Sequence, residues 1–242
     1  MPSLNSNSIR INQLLTALPD QEYQRLVPHL EEVSLTLGQI LYQPGEPILH
    51  VYFPNRAMVS LVTLLTNGST TEVGMVGKEG MVGIPVFLAD GMAINQAIVQ
   101  LEGTGMKMDA SILKREFDRR ARLQQLLLCY TQTLLNQVSQ TAACNRQHQL
   151  EQRLARWLLS AQDSISGSEL RLTQEFLGNM LGTRRATVTI AAGKLQETGA
   201  IRSYRGKITI LNRKLLETIA CECYNVVKQE CDRLLYPANG DR

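Results

Sequence analysis

Residues 117–144, FDRRARLQQLLLCYTQTLLNQVSQTAAC, contain no glycine and no proline over 28 positions. A run of that length without a breaker predicts one long helix, a rod of about 40 Å around which the rest of the chain must be arranged. Its apolar residues make two stripes. Leu123, Leu127, Tyr130 and Leu134, continuing through Gln137, Thr141 and Cys144, advance by alternating steps of four and three, the period of a coiled-coil seam. Leu126, Leu128, Cys129 and Leu135 lie off that seam. The pattern assigns Leu123, Leu127, Tyr130, Leu134, Gln137 and Thr141 to contact with a second copy, the other stripe covering the rest of the chain. The alternative is one helix buried on two sides within a single chain, since the repeat lasts barely three heptads.

The sequence on the two sides of this helix differs in kind. Before it, after a short helical lead-in at 11–30, come VSLTLGQILY, HVYFP, MVSLVTLL, TTEVGMVG and QAIVQLEGTGMKM. These segments are short, β-branched or alternating, and separated by glycines, which predicts a compact antiparallel roll of jelly-roll type. After it, a break near Asn145 as N-cap precedes a second amphipathic helix carrying Leu150, Leu154, Trp157 and Leu158. The fold class is therefore α+β: an antiparallel roll over 1–108, a dimerisation helix over 109–144, a separate unit over 145–211 and a helical extension over 212–242. A hinge is expected near residues 142–148.

At 242 residues, 44% of them hydrophobic and 19% charged, the chain has enough apolar mass for two cores. No run of eighteen apolar residues occurs, and the N-terminus lacks a basic segment followed by an apolar one, so neither a membrane span nor a secretory leader is expected. The five cysteines are odd in number and unevenly placed, which suits reduced thiols in the cytoplasm. The net charge of +3 is unevenly divided: 10 bases against 12 acids up to residue 142, then 15 against 10. Within 171–215, nine bases face two acids, an electrostatic footprint for a polyanion or, more blandly, a solvated basic face.

The basic segment has an internal grammar. In RLTQEFLGNMLGTRRATVTIAAGKLQETGAIRSYRGKITIL, Thr173 is placed to cap a short helix at 174–180 and Gly182 to make a sharp turn. Thr183 is then placed to cap a second helix with Val188, Ala191, Ala192 and Leu195 facing inward. This is a helix-turn-helix, with Arg184 and Arg185 in the first turn of the helix that meets base edges. IRSYRGKITIL follows as a hairpin turning at Arg205–Gly206, with Arg202, Arg205 and Lys207 suited to phosphates. Thr187 and Thr189 complete the candidate DNA-binding set with Thr173, Thr183, Arg184, Arg185 and these three wing cations.

From about residue 10 to 211 this order of parts resembles the Crp/Fnr family of bacterial transcription regulators. The resemblance implies a homodimer whose roll senses a signal and whose winged helices bind double-stranded DNA at a pseudo-palindromic site, with RNA polymerase as a further candidate contact. Arg185 matches the family arginine that reads guanine. Ala186 stands where a glutamate is common and Ile190 where a second arginine is common, so a different half-site is expected. Thr183 and Arg184 are candidates for phosphate contacts.

Cyclic-AMP-binding members carry Gly-Glu and then Arg-Ser-Ala or Arg-Thr-Ala, the glutamate for the ribose hydroxyl and the arginine for the phosphate. Here Gly83 is followed by Ile84, and Asn95, Gln96 and Ala97 stand in place of the second triplet. The effector pocket is degenerate, cyclic AMP is not expected, and the effector is unassigned. An iron–sulfur cluster on N-terminal cysteines fails because none precedes Cys129, and His29, His50 and His148 come without a haem motif. If 213–235 is one helix, Cys221 and Cys223 point about 160° apart and Cys223 lies about 12 Å from Cys231, which fits no single metal. No metal or cofactor is therefore expected; Cys223 and Cys231 read as core residues and Cys221 as facing elsewhere. No catalytic motif is present, so an enzyme is not expected. The rival reading is a ligand-sensing protein whose output is protein contact, the winged helix serving as scaffold.

Overall fold

The computed structural model describes residues 11–165 and 167–236; the first ten residues, Ser166 and the last six fall outside it. Two short helices, α1 (Gln13–Thr16) and α2 (Asp20–Leu26), lead into a seven-stranded roll. Its strands are β1 (Glu31–Leu35), β2 (Ile40–Tyr42), β3 (His50–Pro54), β4 (Met58–Leu64), β5 (Thr70–Val76), β6 (Gln96–Leu101) and β7 (Gly103–Asp109), with the one-turn helix α3 (Pro85–Leu88) before β6. They form two antiparallel sheets in the orders β1-β7-β3 and β2-β6-β4-β5. Two segments that read as single strands are each divided between sheets. VSLTLGQILY turns at Gly38 (φ 79°), and QAIVQLEGTGMKM crosses over at Glu102.

α4 (Ala110–Phe117) and α5 (Arg122–Gln147) follow, separated by Arg120 in the left-handed region at φ 57°. The helical stretch expected to be continuous thus bends before Arg122. Ala121 at the N-cap of α5 offers no side-chain bond; the Glu22 carboxylate, on α2, instead accepts from the Arg122 and Leu123 amides at 3.0 and 2.9 Å. A carboxylate at that end satisfies free N–H groups and complements the helix dipole. Beyond α5 lie α6 (Leu150–Ser164), β8 (Glu169–Arg171), α7 (Gln174–Met180), α8 (Arg185–Glu197), β9 (Ile201–Tyr204), β10 (Lys207–Ile210), α9 (Arg213–Ile219) and α10 (Cys223–Leu235). The break falls at His148–Gln149 rather than Asn145, and Gln149 caps α6 through a reciprocal bond with Gln152.

Two cores result. The first fills the roll and takes in α1, α2, α4 and one face of α5; the second fills the winged-helix unit and borrows Met58, Val62, Met75 and Leu101 from the roll. β4 is buried on both faces: Val59 and Leu61 point into the first core, Met58 and Val62 into the second. α10 runs back along α5 and spans both, with Tyr224 in the second core and Leu235 in the first. Tyr224 donates to Asp163 at 2.7 Å and accepts from Arg213 at 2.6 Å.

At the joint between the cores lies Glu72, 6% exposed, which accepts from Ser60 on β4 and from Trp157 Nε1 on α6 (2.8 Å). Burial pushes its carboxyl up to about 7, against the opposing pull of those bonds and the Arg156 charge. The folded protein therefore holds this proton more tightly than the unfolded chain. That contribution to stability is complete below about 4.5 and is lost as pH rises through about 7. Denaturation measured across this window should show the wild type losing on the order of 3 kcal/mol relative to Glu72→Gln. Parallel pH profiles for the two proteins would contradict this role.

Candidate nucleic-acid interface

α7 and α8 form a helix-turn-helix whose geometry follows from three residues. Thr173 caps α7, its hydroxyl accepting from the Phe176 amide at 3.1 Å. Gly182 takes φ 60°, a turn conformation that strains any residue with a Cβ. Gly178 lets the two helices meet: a Cβ there would stand 2.9 Å from the Thr183 carbonyl oxygen. Val188, Ala191, Ala192 and Leu195 of α8 are buried as expected.

The second cap differs from the sequence expectation. Arg184, not Thr183, is the N-cap residue of α8, with extended φ/ψ of −77° and 145° and no side-chain cap bond. Thr183 is instead held in the turn, its amide donating to Gly178 O at 2.8 Å. The Thr187 and Val188 amides close back on the Arg184 carbonyl at 3.0 and 3.2 Å. Arg184, Arg185, Thr187 and Thr189 are exposed, as are Ala186 and Ile190. The Thr189 hydroxyl donates to Gln174 Oε1 at 2.6 Å, which places Gln174, a residue with no sequence signal, at the same surface.

β8, β10 and β9 form the wing sheet. Its hairpin turns on Arg205 (φ 46°) and Gly206 (φ 76°), the two left-handed residues of a type I′ turn. Arg205 lies 5.2 Å from the Tyr204 ring, Arg202 is exposed, and Lys207 pairs with Glu169 at 2.9 Å. A surface pair of that kind is weak and readily exchanged for a phosphate. Among the described residues, no ion pair engages Arg184, Arg185, Arg202 or Arg205.

Within one chain, the expected seam of the long helix packs on the roll, together with Leu126 and Cys129 from the other stripe. Leu123, Leu127, Tyr130 and Leu134 are buried within the chain against the roll. Gln137 accepts from the Met75 amide at 2.7 Å, and the Thr141 hydroxyl accepts from Arg156 at 3.3 Å. Four of the six expected seam residues are buried within the chain, while Gln137 and Thr141 are half-buried. The reason is packing: this stripe carries the denser run of large side chains, and the roll needs it as a wall. Leu128 and Leu135, 47% and 56% exposed, point the other way.

The cassette positions flank the connection between β5 and β6. Gly83 (φ 112°) and Ile84 precede α3, Asn95 precedes β6, and Gln96 and Ala97 begin it. Asn95 donates to Thr63 Oγ1 (3.0 Å) and Gln96 to Gln43 Oε1 (2.8 Å), while Ala97 is fully buried. These amides are engaged with their own sheet, and residues 79–106 contain no lysine or arginine to meet a phosphate.

At the C-terminal end the chain departs from a single helix over 213–235. It breaks at Ala220–Glu222 between α9 and α10, so the angular argument against a metal, which assumed a continuous helix, does not hold. Cys221 is buried rather than facing outward, and with Cys144, His148 and Cys223 it forms a group whose ligand atoms all lie within 4.8 Å of one another. Cys144 and Cys221 share a hydrogen bond at 3.5 Å. That bond, with the Arg156 charge, pushes Cys144 down to about 5, and sharing it pushes Cys221 up. His29 and His50 stand elsewhere, on the turn before β1 and at the start of β3.

Residues 152–219 match the Crp-like helix-turn-helix domain family. The global nitrogen regulator of Synechococcus elongatus is 21% identical over 212 residues, covering 83% of this chain and 94% of that protein. FixK2 from Bradyrhizobium japonicum superposes with a TM-score of 0.66 at 20% identity, covering 79% of this chain and 98% of its own. The c-di-GMP responsive global regulator CLP of Xanthomonas campestris superposes with a TM-score of 0.63 at 15% identity, covering 79% and 99%. At these identities the structural likeness is one of fold. Residues 152–219 are thus similar to Crp-like helix-turn-helix domains, and the chain, with roll, long helix and winged helix in that order, shares the fold of solved structures that include a putative transcriptional regulator of the crp/fnr family from Eubacterium rectale.

Proposed function

We propose that this protein is a homodimeric, sequence-specific DNA-binding regulator of transcription whose roll does not take a cyclic nucleotide. The observation that carries the reading is the outer face of α8. Its start carries the exposed Arg184 and Arg185, and the wing that follows it in the chain carries the exposed Arg202, Arg205 and Lys207. Arg185 is the candidate for a bidentate guanine contact, worth about 1–3 kcal/mol of discrimination. Ile190, 61% exposed on the same helix, suits a thymine methyl group. Arg184, Thr183, Thr173, Arg202, Arg205 and Lys207 are assigned to phosphates, which set register without reading sequence.

The second copy is assigned to the exposed stripe of α5. Gln125, Leu128, Gln132, Leu135, Ser139 and Ala142 are all exposed and advance by alternating steps of three and four. Pairing there leaves the roll intact and sets the spacing of two α8 helices through the break at His148–Gln149. An effector would act by shifting the population of dimers with the correct spacing. The missing cation in the cassette and the inward-tied amides argue against a cyclic nucleotide phosphate as that effector.

Selection of random duplex DNA by the purified protein should enrich a two-fold symmetric motif. Arg185→Ala should lower the preference at one base pair per half-site by roughly tenfold to a hundredfold, whereas Arg205→Ala should weaken all sequences alike. No enrichment, with or without cell-extract small molecules, would leave the winged helix a scaffold for protein contact. Replacing Leu128 and Leu135 together by glutamate should give a folded monomer by sedimentation, with an unchanged circular dichroism spectrum. Leu127→Glu, which places a charge in the first core, should unfold the chain instead. A double variant that still sediments as a dimer would remove this stripe from the interface.

A further inference from the structure

The break at Ala220–Glu222 turns the C-terminal extension back onto the end of α5. Cys144 lies in the last turn of α5 and His148 is its C-cap; Cys221 comes from the linker and Cys223 begins α10. The Cys144 and Cys221 sulfurs are 3.5 Å apart, and the Cys223 sulfur is 3.6 Å from His148 Nδ1. A tetrahedral ion bonded at about 2.3 Å to sulfur and about 2.0 Å to nitrogen holds its ligand atoms about 3.5–3.8 Å apart. We infer that Cys144, His148, Cys221 and Cys223 form a closed Cys3His site for one zinc ion, which fastens α10 to the end of α5 beside the break that leads into the winged-helix unit.

The surroundings are those of a ligand set rather than of core filling. The three cysteines make a buried cluster of their own, apart from both main cores. Glu222 Oε2 lies 3.2 Å from His148 Nε2 and so holds the proton on that nitrogen, leaving the Nδ1 lone pair facing Cys223. Gln140 donates to the Cys223 sulfur at 3.2 Å, a bond that favours thiolate over thiol. Zinc with three thiolates and a neutral imidazole carries a net charge of −1. Arg156 is only 5% exposed, its Nε has no partner, and its charge acts on Cys144; with Arg153 it offsets that deficit. Four protein ligands leave no open position, so the site is structural, not catalytic. A disulfide would require a sulfur separation near 2.0 Å and would employ only two of the four groups. An iron–sulfur cluster, with its ligands spread over several irons, needs its thiolates wider apart than a single ion does.

Full-length protein purified under reducing conditions in zinc-supplemented medium should retain one zinc per chain after gel filtration. Cobalt exchanged into the site should give the intense visible absorption of a tetrahedral ion and a thiolate charge-transfer band in the near ultraviolet. Cys144→Ser and Cys223→Ser should each lose the stoichiometric zinc and the wild-type cobalt spectrum, while Cys129→Ser, outside the cluster, keeps both. The cobalt spectrum of the wild type stands even if the serine variants fail to fold. Wild-type protein that retains no zinc and gives no tetrahedral cobalt spectrum would falsify the assignment. An iron–sulfur chromophore on these cysteines, or a Cys144–Cys221 disulfide in the reduced preparation, also overturns it.

Discussion

Tyr130 sits so close to Gly80 that a Cβ there would lie 2.4 Å from its ring, and Leu123, Leu126, Leu127 and Leu134 extend the same contact along the roll. Each of these side chains contributes about 1.5–3 kcal/mol by leaving water. Together they lock α5 to the roll in one rotational setting. Everything downstream inherits that setting. The opposite stripe with Leu128 and Leu135 faces solvent, the helix ends beside α10, and after the break before Gln149 α6 brings Trp157 to Glu72 of β5. A helix turned by one stripe would present these five buried groups to water and leave the roll without its wall.

The winged-helix unit is not an independent bead on a linker. It takes four apolar side chains from the roll into its own core, and Glu72 joins β5 to Trp157 in a site shielded from water. α10 adds a second tie, sharing both cores and carrying one of the cysteines that meet Cys144 and His148. In this arrangement the position of α8 relative to α5 depends on a buried carboxyl, a set of apolar contacts and a thiol–imidazole cluster. Those are the groups through which pH, metal supply or redox state would reach the recognition helix.

How much of this was legible beforehand depended on whether the signal was local. The helix-turn-helix was readable because a cap at Thr173, a left-handed glycine at 182 and inward residues at helical spacing all speak about the same short segment. The hairpin at Arg205–Gly206 was readable for the same reason. The direction of the two α5 stripes was not, because periodicity reports that a face is apolar and says nothing of what covers it. The cap of α8 was misplaced by one residue, since Arg184 starts the helix from backbone geometry alone. The cysteine cluster was hidden by a break at residues 220–222 that has neither glycine nor proline. Its one sequence trace was the spacing of Cys144 and His148, four apart on a helix, near in space to a Cys-x-Cys pair.

In the proposed complex, two copies of α8, held by paired α5 helices, enter successive major grooves. Hydroxyl-radical footprinting on the duplexes that the protein itself selects tests this most directly. The account predicts two protected patches on one face of the DNA, centred about 34 Å apart, both vanishing when Leu128 and Leu135 are replaced by glutamate. A single patch, or a pair that survives those substitutions, would contradict it.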